Sequence, residues 1–404
     1  MNLLLSRTVG LLIAAIFVAI VARRVRLPYT VGLVVAGVGL ALAKVETGTV
    51  LTHDFIFDVI LPPLLFEAAL SIGWAELRRD ALPVLTLATL GVVISAVVVA
   101  AGMVGILGWP LSSALVFGVL IAATDPVAVI AMFKDTGVTG RLRLLVESES
   151  LLNDGVAAVL FGLVLAWALA TGEGRTTSAT LAWMLGTTAG GGILVGLLCG
   201  GAAIMIAGRT SDHLVETALT GVAAYGSFLL AEYLHLSGVL ATVAAGLLMG
   251  NLGVLDAPVR NRLSSRGREF VLEFWEFAAF IANSLVFLLI GVTVAGIPLK
   301  GLGWTALLIA IGLVLLGRAL SVYPLCLPFV RSRWAVPFRQ QHVLWWGGLR
   351  GALALALALA LPSSLAMRNE IVIAAFGVVV FSVVLQGLTM PLLLGALGLL
   401  PNRR

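Results

Sequence analysis

Thirteen stretches of this chain are apolar over about 20 residues, the length a helix needs to cross a hydrocarbon core. They run roughly over 4–22, 28–43, 52–71, 81–105, 111–133, 145–170, 181–206, 213–233, 237–251, 269–294, 303–329, 343–361 and 370–398. The second, ninth and twelfth are short. Only 11% of residues are charged, where soluble domains carry about 25%. The pattern restricts the chain to an all-α polytopic membrane protein of about 13 transmembrane helices, with 1–404 as one transmembrane unit. Residues 4–22 precede Arg23, Arg24 and Arg26, with no basic region before them and no small-residue cleavage site. A secretory signal has the reverse charge order, so this stretch reads as a first span.

Charge tests the count, because cytoplasmic loops hold the excess Lys and Arg. With the N-terminus outside, 18 of the 25 Lys and Arg fall in odd-numbered loops and at the C-terminus. Five, namely Arg7, Lys44, Arg175, Lys300 and Arg368, fall on the other side, and two, Arg318 and Arg350, lie inside spans. A wrong count would reverse every later loop and blur this split. The expectation is therefore a multi-pass protein of the cell membrane with a cytoplasmic C-terminus. The pI near 9.7 reflects this topology and implies no nucleic-acid partner. No GxxxxGK[ST] segment occurs, so ATP is not expected to drive the protein. Cys199 and Cys326 form no framework, and His53, His213, His235 and His342 are scattered without an HExxH pair. No cofactor is expected.

Two carboxylates sit in the middle of spans. Asp125 lies in Ala123-Thr124-Asp125-Pro126-Val127, and Asp154 in Glu149-Ser150-Leu151-Leu152-Asn153-Asp154-Gly155. A carboxylate at mid-membrane depth costs about 2.5–3.5 kcal/mol on insertion scales, which marks an ion or proton pathway. A structural carboxylate paired with a fixed cation is the bland alternative, and two on separate spans weaken it.

The fifth and twelfth spans look interrupted. Pro126 cannot continue a helix but suits its first turn, and Asp125 before it is a good N-cap, so the fifth span is expected to unwind at Ala123–Thr124 and restart. The twelfth holds Gly347-Gly348-Leu349-Arg350-Gly351, three glycines and a cation within five residues. Interrupted spans at corresponding places in two halves point to a transporter binding site. Seven positions separate them in the span order, so they cross the membrane in opposite directions, as inverted repeats require. The other reading is a proline kink and close glycine packing.

Ser150 and Asp154 share one helix face. With the Thr124 hydroxyl and freed carbonyl and with Asp125, they form an all-oxygen set suited to a hard monovalent cation rather than a transition metal. Asn153 is expected to hydrogen-bond across to the restarted helix. Glu149 lies on a second face and is paired in expectation with Arg318, since a buried arginine without a partner is costly. Glu67, in Leu65-Phe66-Glu67-Ala68-Ala69, is expected to face the cavity as an outer ligand or to pair with Arg350 or a neighbouring Ser/Thr. Glu273 and Glu276 are set aside as interfacial.

Thr124-Asp125-Pro126, Glu149-Ser150-Leu151-Leu152-Asn153-Asp154-Gly155 and Gly347-Gly348-Leu349-Arg350-Gly351-Ala352 resemble the signature segments of the cation/proton antiporter superfamily, specifically sodium/proton exchangers of the NhaP and eukaryotic exchanger type. The resemblance extends to Phe66-Glu67-Ala68-Ala69 and Arg318. It implies a homodimer whose core, approximately 81–170 and 303–398, carries two crossed broken helices. A scaffold at approximately 4–71 and 213–294 and a linker helix at approximately 181–206 complete that division, with elevator-like movement of the core. It also implies that Asp154 binds ion and proton, with Asp125, Ser150, Thr124 and Glu67 around it. Asn153 before Asp154 is similar to the electroneutral branch. The eukaryotic regulatory tail has no counterpart after 398, which leads us to expect a prokaryotic protein.

One shared site gives the mechanism. A carboxylate in a low-dielectric pocket can hold either a proton or a cation, and if the core moves only when neutralised, one Na⁺ or Li⁺ leaves for each proton entering, a route to pH homeostasis. The alternatives are a K⁺/H⁺ antiporter of the same fold, a cation channel, or an intramembrane aspartyl protease, which would need a Gly-x-Gly-Asp absent here.

Overall fold

Proline and glycine decide where these apolar helices bend, break and touch. The computed structural model describes residues 2–25, 28–44, 51–169, 178–255, 263–296 and 302–400, and among these there is no strand. Helices α1 (Asn2–Val25) and α2 (Tyr29–Leu42) open the chain. The third window begins as a π-helical turn, Phe55–Ile60, and passes into α3 (Leu61–Ser71). Pro62 and Pro63 explain the change of winding: neither can donate to the preceding turn. The Val59 carbonyl, four residues before Pro63, instead accepts from Tyr225 Oη at 3.1 Å.

A short helix, α4 (Trp74–Arg79), leads to α5 (Ala81–Leu107), which stops at Gly108 in the left-handed region. The fifth window is two helices, α6 (Leu111–Leu120) and α7 (Val127–Thr136). Then come α8 (Arg141–Leu169), α9 (Ser178–Ala207), α10 (His213–Tyr233) and α11 (Gly238–Met249), whose last turn widens into a π segment, Gly250–Val254. Asp212 and Ser237 cap α10 and α11 by accepting from the N–H groups of Leu214 and Leu240. The two long helices α12 (Ser265–Gly296) and α13 (Trp304–Cys326) follow. The twelfth window is again broken, into α14 (Phe338–Trp346) and α15 (Ala352–Leu359). The thirteenth is α16 (Arg368–Phe381) and α17 (Gly387–Ala396), joined through a π-helical turn, Ser382–Gln386. Every apolar window of the sequence is thus met by helix, and among the described residues seven helical stretches are by themselves long and apolar enough to cross a membrane. Among the cations that set sidedness, Arg26, Arg175, Arg260, Arg262, Lys300, Arg403 and Arg404 lie outside the described residues.

Small residues set the closest helix contacts, as expected where lipid offers no hydrophobic drive between helices. Gly37 of α2 lies against Gly291 and the Leu288 carbonyl of α12. Gly192, Gly196 and Gly200, one per turn of α9, lie against Ser237, Ala241 and Ala245. Helices α2, α3, α10, α11 and α12 form one connected set of packed helices and α5, α6, α8, α13 and α16 a second, with α8 also touching α3, α9 and α11.

Candidate functional site

The breaks of the fifth and twelfth spans meet. Ala123–Pro126 run without helical winding before α7, and Gly347–Gly351 do the same between α14 and α15. The Asp125 N–H donates to the Leu349 carbonyl at 2.7 Å, and Arg350 Nη1 donates to the Ala122 and Ala123 carbonyls at 2.8 and 3.1 Å. The two interrupted helices are therefore joined at their unwound points.

A break strands backbone groups on both sides, and charge meets each set. The Asp125 carboxylate accepts from the Val127 N–H at 2.9 Å and from the Ala352 N–H, so one anion serves the N-termini of α7 and α15. Gly351 makes this possible, because a Cβ there would overlap the Asp125 carboxylate. The carbonyl ends receive donors: Arg350 at α6, Arg318 on the Leu344 carbonyl at 3.1 Å, and Gln386 Nε2 on the Trp346 carbonyl at 2.9 Å. Ser382 Oγ accepts from the Arg350 N–H at 3.0 Å. Ser382 and Gln386 are the two ends of the π-helical turn, which aims both at the break.

Arg318 also holds Glu149 in a two-pronged pair, with Nη1 to Oε1 and Nη2 to Oε2 both at 2.8 Å. Arg318 is 4% exposed and Glu149 2% exposed. Such a dry pair stands only with complete hydrogen bonding, and Arg318 has it on both sides. Next to it, Ser150 Oγ donates to the Thr124 carbonyl at 2.5 Å and lies 3.1 Å from Thr124 Oγ1. The unwound segment before α7 is thereby pinned to α8.

A cavity of about 990 Å³ reaches this point. Asp154, Asp125 and Thr124 line it, with Glu67, Glu147, Glu276, Lys134 and Arg143 also in its wall. Asp154 Oδ1 is enclosed and has no hydrogen-bond partner. Its carboxylate sits in the field of Asp125, Glu149 and Arg350. An orphaned carboxylate oxygen beside further oxygen atoms is a fit for a small cation as cargo. Among the described residues, no group of His, Cys, Asp and Glu is arranged to hold a resident metal ion.

Three expectations change in detail. Asn153 does not reach α7; its Nδ2 points one turn back to Glu149 Oε1 at 3.4 Å, because the α8 face that carries Glu149 carries Asn153 too. Glu67 lines the cavity, but among the described residues its carboxylate pairs neither with Arg350, whose guanidinium is turned to the Ala122 and Ala123 carbonyls, nor with a hydroxyl. Its charged neighbours are Glu147, Lys134, Glu276 and Arg143, drawn from α8, α7 and α12. Glu276 is not only interfacial, since it lines the cavity and takes Lys134 Nζ at 2.9 Å. Gly351, Ser382 and Gln386 carried no signal in the sequence beyond a glycine-rich break and ordinary polar residues in a span. Their roles depend on contacts with distant segments.

Interrupted helices that meet beside buried carboxylates, with charges matched to the half-helix ends, are the arrangement from which secondary transporters build substrate sites. Comparison with known proteins narrows that class. The transmembrane sodium/hydrogen exchanger family model matches residues 11–396, and the chain belongs to this family. It is 42% identical over 379 residues to the Na(+)/H(+) antiporter ApNhaP of Aphanothece halophytica, covering 94% of this chain and 71% of that one. It is 36% identical over 391 residues to the Na(+)/H(+) antiporter NhaP of Pseudomonas aeruginosa, covering 91% and 90% of the two chains. The solved structure of the sodium proton antiporter MjNhaP1 from Methanocaldococcus jannaschii shares the fold with a TM-score of 0.76, at 22% identity and over 98% of this chain and 100% of that one. The resemblance seen in the three motif segments is borne out.

Proposed function

We propose that the protein is an antiporter that exchanges Na⁺ or Li⁺ for H⁺ across the cell membrane, one for one, at a site shared by both ions. The charge balance of the buried site carries this reading. Arg318 and Arg350 face Glu149, Asp125 and Asp154, two positive groups against three negative ones. The uncompensated charge of minus one is neutralised by one monovalent cation or by one proton, never by both together. Glu149 is taken by Arg318 and Asp125 by two helix N-termini, which leaves Asp154, with its free oxygen, as the group that switches. A cation there would draw on Asp154, the Thr124 carbonyl, Ser150 and Asp125, with Glu67 further out along the cavity.

Movement completes the cycle. The connected packing of α5, α6, α8, α13 and α16 supports a core of approximately 81–170 and 303–398, and that of α2, α3, α10, α11 and α12 supports a scaffold of approximately 4–71 and 213–294, with α9 as the linker. The neutralised core slides past the scaffold, which in a homodimer is held still by its partner. The site meets each side in turn. The ion gradients supply the free energy and the N-terminus lies outside. The test is proton movement in proteoliposomes on addition of Na⁺, Li⁺ or K⁺. A response to Na⁺ and Li⁺ is expected. A response to K⁺ alone would make this a K⁺/H⁺ exchanger, and no response to any of them would overturn antiport.

A further inference from the structure

Four exposed arginines lie on two joined segments at one end of the helix bundle, and among the described residues no carboxylate pairs with them. Arg78 and Arg79 end α4 immediately before α5, and Arg331 and Arg333 lie in the connection between α13 and α14. The two segments are fastened together. Trp334 Nε1 donates to the Arg79 carbonyl at 3.1 Å. Arg141, at the start of α8, donates to Asp80 Oδ1 at 2.9 Å and to the Ala335 and Trp334 carbonyls at 2.7 and 3.1 Å. Asp80 is thereby consumed by Arg141. All four arginines are exposed, and none forms an ion pair or side-chain hydrogen bond among the described residues, although Glu76 is exposed on the same short helix. The Arg333 guanidinium stacks on Trp334 at 4.5 Å from the ring centre.

The surroundings are apolar. Leu327, Val330 and Phe338 are 67%, 57% and 64% exposed, and Trp74 at the head of α4 is 56% exposed. Because α5 begins and α13 ends here, the patch lies at the edge of the membrane layer, where indole rings and cations sit at headgroup level. Unpaired guanidinium groups on a braced platform, above exposed apolar side chains, match the phosphate and the acyl chains of one kind of partner.

We infer that this platform binds the headgroup of an anionic phospholipid of the protein's own bilayer. The guanidinium groups of Arg331 and Arg333 on one side and Arg78 and Arg79 on the other take the phosphate oxygens, with the acyl chains lying over Leu327, Val330 and Phe338. Free phosphate lacks the apolar half of the contact and does not replace the lipid.

The test uses the full chain purified in a neutral detergent, with phosphatidylglycerol as the probe, phosphatidylcholine as the neutral comparison and glycerol phosphate as the soluble headgroup. Retained lipid is read by native mass spectrometry and thermal unfolding is followed in parallel. Phosphatidylglycerol is expected to be retained and to raise the unfolding temperature, more at low salt than at high. The R331Q/R333Q variant should unfold at the wild-type temperature in phosphatidylcholine and lose affinity for phosphatidylglycerol by about fivefold per charge removed. R78Q/R79Q is the second variant, in case the first fails to fold. Equal retention of phosphatidylglycerol by wild type and both variants overturns the inference, as does an equal thermal gain from glycerol phosphate alone.

Discussion

The backbone N–H of Asp125 donates to the carbonyl of Leu349 at 2.7 Å, so one hydrogen bond ties the break in one helix to the break in another. Around that bond, Asp125 serves two helix N-termini and Arg350 serves a carbonyl end. Asp154 is the acid of this group with an oxygen left free.

Asp154→Asn keeps size but removes both the charge and the titrating proton. Cation-dependent proton movement in proteoliposomes should disappear while the protein stays folded, since the site becomes neutral. Asp154→Glu should keep part of the exchange with altered apparent affinity and pH dependence. Near wild-type exchange by Asp154→Asn would place the switching charge elsewhere, with Asp125 next in line.

Electroneutral exchange follows from a site with one uncompensated negative charge. The rate should be indifferent to a membrane potential imposed with K⁺ and valinomycin. A strong dependence on that potential would show that more than one charge moves per cycle.

Arg318→Ala strands Glu149 in a dry setting, where breaking a buried pair costs about 3–5 kcal/mol. A clear drop in the detergent unfolding temperature is expected. E149Q/R318Q should recover part of it, because no unpaired charge is left. If the double change is as harmful as the two singles added together, the pair does not act as a unit.

Gly351→Ala places a Cβ onto the Asp125 carboxylate, and something must move. Transport should fall sharply and stability with it. Gly312→Ala is the control: its Cβ meets nothing within 4 Å, and it should behave as wild type.

Lys134 of α7, a neighbour of α8, and Glu276 of α12 form an exposed pair at 2.9 Å that links the proposed core to the proposed scaffold. In the proposed sliding motion this contact breaks on every cycle, and an exposed pair worth at most about 1 kcal/mol suits that use. Lys134→Glu and Glu276→Lys should each change the exchange rate by up to about fivefold. The doubly exchanged variant should return toward wild type, and wild-type rates in both singles would remove the pair from the mechanism.

Much of this was legible in the chain itself. Apolar length fixes the spans, because in lipid a backbone must satisfy its own hydrogen bonds within a helix. Pro126 and the glycines of 347–351 fix where two helices break, through a missing donor and freed conformations. Asp125 as a cap follows from its place before Pro126. What the sequence could not settle is who meets whom across distance. The pairing of Glu149 with Arg318 was expected from the chain and is present, yet only the packed structure shows Asn153 turned back to Glu149 and both carboxylate oxygens taken by one guanidinium. The second helix end at Asp125, the place of Gly351 against it, and the role of a π-helical turn in aiming Ser382 and Gln386 are decided by the approach of remote segments. Local chemistry determines where a helix must end. Only the tertiary structure determines which charge satisfies that end, because those fields and hydrogen bonds act over a few ångströms in space and not along the chain.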